Sequence, residues 1–328
     1  MVSLKTNYLG LTLNSPLIVG SSGLTSSLEN IIDFEKQGAG AVVLKSLFEE
    51  QILNEVHHTM SQSEYTNQYP EALDYISNYS RDNNIDAYLK LIRDCKKSVS
   101  IPVIASINCA SATEWMAYAS KIQEAGADAL ELNIYIMPSD PEMTSIQNEK
   151  VYFDVLEGVL KHVKIPIAMK LSPYFAGLAE TTRKLSWAGA KGLVLFNRFY
   201  SPDIDINTFR LSATHIFSTP DDLYHPLRWV ALLSGNLHCD IAASTGIHDT
   251  DGMIKMLLAG AKSVEVVSTV YKNGHGRIAE MLAGLEAWMA MHGFEKPSDF
   301  IGKMSHKKAD NPVAYERVQF MKHYAGIE

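Results

Sequence analysis

The chain alternates short apolar runs with longer stretches in which apolar residues recur every three or four positions. Runs of the first kind read as buried strands, and stretches of the second kind as amphipathic helices. The clearest unit spans Pro102 to Pro138. Val103 to Ile107 is an apolar run that breaks into Asn108 and Cys109, and Ser111 with Glu114 three positions on marks a helix start. Trp115, Ala119, Ile122 and Ala125 keep helical spacing until Gly126 closes the helix. A second apolar run, Ala129 to Ile134, carries Asn133 near its end. This is a strand–helix–strand unit with polar residues where each strand stops, the edge at which parallel α/β proteins bind ligands.

The same alternation extends in both directions. Residues 4–13 predict a short hairpin around Leu9-Gly10 that plugs one end of the fold. Strands are expected at 16–23, 41–47, 103–107, 129–134, 166–173, 192–197, 240–246 and 263–269. Helices are expected at 28–38, 85–99, 111–126, 146–163, 178–188, 227–237, 251–259 and 278–291. Segments 48–82 and 198–224 are polar insertions without a clean period, and a long irregular segment in a compact fold is usually a lid or binding loop. Eight strands with helices between them predict an α/β protein of the (β/α)₈ TIM-barrel type, with insertions after strands two and six. The chain reads as one domain, residues 1–328, with the barrel at about 14–294 and a polar tail at about 295–328.

Composition narrows the setting. With 46% hydrophobic and 20% charged residues, the chain is ordinary globular protein, and no apolar run reaches membrane-spanning length. A formal net charge of −8 argues against a nucleic-acid or anionic-membrane surface. The first ten residues lack the apolar core of a secretion signal. Cys95, Cys109 and Cys239 are far apart and form no CxxC pair, which excludes a self-contained cysteine-ligated cluster and fits a reducing, cytoplasmic setting. No metal-ligand motif, Ser-His-Asp order or phosphate-cradling P-loop is present.

Candidate chemistry gathers at the strand ends. Strands seven and eight finish in Ser244-Thr245-Gly246 and Ser268-Thr269, the two positions where barrels commonly hold phosphate; as a plainer alternative, such residues form tight turns. Lys45 and Lys170 sit late in apolar strands, and a lysine buried there needs an anion unless it snorkels out to water. Asn133 and Asn197 also end strands, either bridging loop backbones or meeting a ligand. Cys109 is a candidate acid or base, although a lone cysteine in an apolar strand is more often packing. His57, His58 and His215 fall in the insertions, where solvated histidine is the default.

The ordered set GSSG, LKS, IASINC, ELN, MKLSP, LFN, STGI and VST resembles the FMN-dependent dihydroorotate dehydrogenase family, in its soluble class 1 branch. The unit around IASINC and ELN is similar as well to the barrel domain of dihydropyrimidine dehydrogenase. The resemblance covers the barrel from about Leu4 to Phe294 and implies oxidation of dihydroorotate to orotate in pyrimidine biosynthesis, with FMN across the strand ends. It places Ser21 and Ser22 against the flavin and Lys45 beside the ring and substrate. Asn133 would bridge flavin and substrate, Asn197 would sit on the substrate side, and Lys170 would stabilise negative charge on the reduced ring. Ser244, Thr245, Gly246, Val267 and Ser268 match the phosphate-binding turns. Class 1 members are often homodimers, and one branch passes electrons to an iron–sulfur partner subunit.

The departures lie mostly on the substrate side. Where the family carries a catalytic Cys or Ser after strand four, this chain has Asn133-Ile134-Tyr135-Ile136-Met137-Pro138, which puts Ile136 at the position of the base. The second asparagine of that motif is absent, Asn197 is followed by Arg198 instead of serine, and 48–82 shows no asparagine-plus-glycine substrate loop. Ser218-Thr219 stands where the family has a glycine pair before strand seven. Two readings remain open. One is an oxidoreductase acting on dihydroorotate or a related small cyclic molecule, with Tyr135 or Cys109 as replacement acid or base. The other is an FMN-binding homologue, silent or regulatory, without dihydroorotate turnover.

Overall fold

Eight parallel strands close on themselves in the computed structural model, which describes residues 2–48, 70–109, 112–199, 201–213 and 216–316. A hairpin comes first, β1 (Thr6–Tyr8) and β2 (Leu11–Leu13), followed by β3 (Leu17–Val19), β4 (Ala41–Val43) and the two-residue β5 (Leu47–Phe48). Next come β6 (Val103–Asn108), β7 (Ala129–Asn133), β8 (Ile167–Leu171) and β9 (Gly192–Leu195). A second hairpin, β10 (Pro202–Asp205) and β11 (Arg210–Ala213), precedes β12 (Asp240–Ser244) and β13 (Ser263–Val266). Hydrogen bonds join the strands in the order β4-β3-β13-β12-β9-β8-β7-β6, and β4 pairs with β6 to close the ring. The predicted barrel and N-terminal hairpin are both present.

The helices that cover the ring are α1 (Leu28–Lys36), α2 (Pro70–Ser98), α3 (Ala112–Glu124), α4 (Ser145–Leu160), α5 (Leu178–Trp187), α6 (Tyr224–Leu233), α7 (Thr250–Ala259), the short α8 (Ser268–Asn273) and α9 (Arg277–Met291). Local signals set their starts. Ser27 caps α1 by accepting from the Asn30 N–H, and Asp249 caps α7 by accepting from the Gly252 N–H at 2.7 Å.

Three expectations need correction. Part of the irregular 48–82 segment is helix, because α2 begins at Pro70; residues 49–69, with His57 and His58, lie outside the described residues, as do Ser111 and His215. The insertion 198–224 is partly ordered as the β10–β11 hairpin, and α6 starts at Tyr224 instead of 227. The eighth strand stops at Val266, so Ser268 and Thr269 open α8 instead of ending a strand.

Side chains alternate across each strand, so the ring has an outer core against the helices and an inner core of its own. Leu17 and Val19 pack outward, whereas Ile18 joins Ala41, Ile104, Ala129, Ala168, Val194 and Ala242 inside. The small alanines leave room for Tyr8, Leu9 and Leu13 of the hairpin, which fill the barrel from below. Leu9 and Gly10 both have positive φ, 58° and 77°, as a tight hairpin turn requires. The plug is fixed by the Leu9 N–H donating to Asp240 at 3.0 Å. It also needs Gly192, since a Cβ there would lie 2.5 Å from Leu9 Cδ2.

Candidate active site at the upper edge of the barrel

One pleat above the apolar inner layer, the same strands carry polar residues. Ser106 follows Ile104 by two, Glu131 follows Ala129, Lys170 follows Ala168, and Ser244 follows Ala242. The register sets Ser106 opposite Glu131, Asn133 opposite Lys170 and Ser244 opposite Glu265. Parallel pairing therefore assembles a polar layer from residues that are solitary in their own strands.

Lys170 stands at its centre, 7% exposed. Its Nζ lies 2.8 Å from Glu265 Oε2 and 3.7 Å from Glu131 Oε1. Burial disfavours the ammonium charge, but the two carboxylates more than offset it and hold the lysine protonated. One cation faces two carboxyl groups, so the carboxyls compete. Burial and the charge of Glu265 push Glu131 up to about 8, and Lys170 opposes the shift only in part. A proton on Glu131 also lets the two carboxyls hydrogen-bond to each other. Without it, the buried Oε1 of Glu265 has no donor.

A run of hydroxyls leads away from Glu131. Ser106 Oγ lies 3.4 Å from Glu131 Oε1 and 2.7 Å from Ser46 Oγ, which is 3.0 Å from Ser21 Oγ. Backbone and amide donors hold the run in place: the Ser46 N–H donates to Ser21 Oγ at 2.8 Å, and Asn133 Nδ2 donates to Ser46 Oγ at 3.3 Å. The Tyr88 hydroxyl of α2 braces Ser106, accepting from its N–H and donating to its carbonyl. Asn197 Nδ2 in turn donates to Asn133 Oδ1 at 2.5 Å, and Asn108 Nδ2 donates to the Asn133 carbonyl at 2.7 Å.

Above this layer opens a cavity of about 510 Å³, within the range of about 300–1,000 Å³ usual for small-molecule sites. Ser21, Lys170, Asn197, Ser244, Thr245, Gly246, Val267, Ser268 and Glu265 all line it. Thr245 and Gly246 have positive φ, 77° and 80°, and a Cβ on Gly246 would collide with the Leu223 nitrogen. Only glycine fits that approach. Ser268 Oγ accepts from the Ser218 N–H at 3.0 Å, Lys272 Nζ donates to the Ser218 carbonyl at 2.8 Å, and Arg198 Nη1 donates to the Ile216 carbonyl at 2.6 Å. Ser218 Oγ is 2.9 Å from His248 Nε2, and burial followed by the nearby Lys272 charge lowers the histidine's proton affinity. Lys170 and Arg198 thus line the same cavity as turns of small hydroxyl residues.

Comparison with known proteins gives this cavity a context. Residues 3–289 match the family model described as dihydroorotate dehydrogenase. The chain belongs to the dihydroorotate dehydrogenase family. It is 26% identical over 318 residues to a dihydroorotate dehydrogenase B (NAD(+)), catalytic subunit, of Thermoplasma volcanium, covering 92% of this chain and 98% of that one. A protein of the same description from Methanothermobacter thermautotrophicus is 27% identical over 91% of this chain and 97% of its own. Another from Methanocaldococcus jannaschii is 28% identical over 83% and 89%.

The residues that the family resemblance singled out are sorted by the geometry. Eight of them line the one cavity, and Asn133 reaches it through Asn197. Ser22 turns its hydroxyl to the Gly20 carbonyl. The buried-lysine expectation holds for Lys170 but fails for Lys45, which lies past the end of β4 and is exposed, the solvated alternative. Ile136 lines a separate cavity of about 480 Å³ with Tyr152, Pro173, Tyr174 and Phe175. Tyr135 is 42% exposed and stacks on Phe199 at 4.1 Å, and Cys109 packs in the outer core. Sequence reasoning passed over Ser46, Ser106, Glu131 and Glu265. The signal for the carboxylates was present, a lone acid inside LEL and another inside VEV.

Proposed function

We propose that the protein is an FMN-dependent oxidoreductase acting on a carbon–carbon bond of a small cyclic substrate, dihydroorotate or a close relative in pyrimidine biosynthesis. The observation that carries this reading is the single cavity lined by both Lys170 and the turns 244–247 and 266–268. The donor set suits a flavin phosphate: hydroxyls of Ser244, Thr245 and Ser268 and a Gly246 whose missing Cβ leaves the backbone accessible. Bound there, FMN would supply two-electron hydride chemistry. Lys170 would balance negative charge as it builds on the cofactor, Asn133 and Asn197 would orient the substrate, and Ser21, Ser22 and Val267 would complete the flavin's cradle. Lys45, exposed in the described structure, would join the site only from the solvent side.

The test is a visible spectrum of the purified protein, then anaerobic addition of dihydroorotate. A flavin spectrum that bleaches supports dihydroorotate oxidation, with Tyr135 or another group in place of the missing base. Absence of a flavin spectrum after reconstitution with FMN would overturn the reading. A second reading, an FMN-binding homologue without dihydroorotate turnover, is favoured by Ile136, which cannot accept a proton and lines the separate, largely apolar cavity. It predicts a flavin that stays oxidised, and dihydroorotate oxidation in Ile136→Cys if the base alone is missing. The same proposal expects a cytoplasmic, small-molecule enzyme, as a homodimer or with a second subunit. No described helix is long and apolar enough to cross a membrane, and the relatives are themselves catalytic subunits.

A further inference from the structure

The buried layer holds two carboxyl groups, Glu131 and Glu265, for a single lysine, and three serine hydroxyls join Glu131 to the cavity. We propose that Glu131 is the site's proton reservoir, delivering a proton to the cavity through Ser106, Ser46 and Ser21. The proposal deepens the oxidoreductase reading and rests on it for what receives the proton.

The hydrogen bonds make a continuous run from Glu131 to the cavity. At rest Ser106 Oγ donates to Glu131 Oε1 at 3.4 Å, and the Ser106–Ser46 and Ser46–Ser21 contacts, 2.7 and 3.0 Å, can run in either sense. Delivery requires Glu131 to turn its proton from Glu265 to Ser106 and the three hydroxyls to rotate so that each donates to the next. The Ser21 hydroxyl is then left to point into the cavity it lines. The fixed donors leave the hydroxyls free to turn in either sense. Asn133 Nδ2 and the Ser46 N–H can only donate, and each meets a serine oxygen that has lone pairs to spare. Transfer is balanced. Ser21 gives its proton to the cavity, then takes one from Ser46, which takes one from Ser106, which takes one from Glu131. Every hydroxyl ends as it began, and the only net change is carboxylic acid to carboxylate, which Lys170 stands ready to neutralise.

The groups that face Glu131 come from every side of the layer. They are Lys170 on β8, Glu265 on β13, Tyr8 of the hairpin plug and Tyr88 of α2. Tyr8 and Tyr88 are both held more firmly in the neutral form, by burial first and by the acidic groups next, so neither competes for the proton. Because burial and Glu265 hold the acid form of Glu131 up to about 8, the layer stands loaded at neutral pH. A loaded acid serves reduction of an activated alkene, in which the product carbon needs a proton, better than it serves proton abstraction. The missing base at Ile136 is then no defect in that direction.

Infrared spectroscopy of the whole protein tests the reservoir without any substrate. The expected result is a protonated-carboxyl stretch that disappears as pH rises through about 8 and is absent in Glu131→Gln. Should that variant not fold, ¹³C-glutamate labelling makes the assignment instead. On mixing into D₂O, the band should exchange at least about tenfold more slowly in Ser46→Ala and Ser106→Ala, a barrier increase of about 1.4 kcal/mol, and at the normal rate in Ser46→Thr. Absence of a glutamic acid band in this range, or equal exchange in Ser46→Ala and wild type, would overturn the proposal. The spectrum of bound flavin is a separate readout. Protein that holds no FMN but shows the band and its serine-dependent exchange sinks the oxidoreductase reading and leaves the relay standing.

Discussion

Lys170 neutralises charge that the surrounding barrel cannot solvate, and the consequences are measurable on single residues. Lys170→Met leaves Glu131 and Glu265 buried without a cation. Removing one partner of a buried ion pair costs about 3–5 kcal/mol, so denaturant unfolding at pH 8 should show a loss of that size, smaller at pH 5 where Glu131 carries its proton. Glu131 gives the complementary pH prediction. In the unfolded chain it titrates near its ordinary value of about 4.3; in the folded chain it keeps its proton to about 8. The folded state therefore binds the extra proton between those values, and its contribution to stability is full below the window and lost as pH rises through it. Glu131→Gln cannot titrate, so its stability relative to wild type should climb across that window by up to about 1.4 kcal/mol per pH unit and level off above it. A flat difference between pH 5 and pH 8 would show that Glu131 holds no such proton.

At the scale of elements, turns and strands differ in how much depends on one residue. Gly246→Ala must drive a Cβ into the Leu223 nitrogen at a φ of 80°, so the turn after β12 has to move. On the proposed FMN reading, affinity for added FMN, measured by flavin fluorescence, is expected to fall by at least about tenfold, while the barrel itself stays folded. The β10–β11 hairpin makes the opposite case. It pairs only within itself among the described strands, and its Ile204, Phe209 and Leu211 are 63%, 89% and 75% exposed. Replacing its tip by a short Gly-Ser loop should change unfolding stability by less than about 1 kcal/mol, a value that calorimetry can check. These elements also show what a sequence reveals. The eight strands were legible because each is an apolar run between helical periods, and Leu9-Gly10 marked the plug. The helix expected at 85–99 was missed in its first half, from Pro70, because PEALDYISNYSRDNN lacks a clean apolar stripe, and β10–β11 because its apolar side chains face outward. That residues 244–246 and 267–268 would meet at one cavity was legible from Ser, Thr and Gly after two strands. The proton layer was not, since Ser46, Ser106, Glu131 and Glu265 become neighbours only once strand register and barrel closure are known.

Taken whole, the barrel divides its labour between its two ends, and the division can be tested by moving substitutions from one to the other. The lower end is a plug: Tyr8 and Leu9 stand among inward alanines, Gly192 makes room for them, and Asp240 accepts the Leu9 N–H. The upper end is the polar layer and the cavity above it. In barrels of this kind the lower face serves stability and the upper face serves chemistry. Asp240→Ala removes the acceptor of the Leu9 N–H at the mouth of the plug, a part-buried hydrogen bond whose loss costs about 1 kcal/mol. It lies at the N-terminal end of β12, and Ser244 of the cavity at the other. The expected outcome is a lower unfolding temperature with the flavin spectrum and FMN affinity of the folded protein unchanged. Gly246→Ala, which displaces the turn that lines the cavity, should weaken FMN binding in the protein that folds. If Asp240→Ala weakened FMN binding as strongly as Gly246→Ala does, the inner apolar layer would be transmitting strain from plug to cavity. The two ends would then have to be treated as one coupled unit.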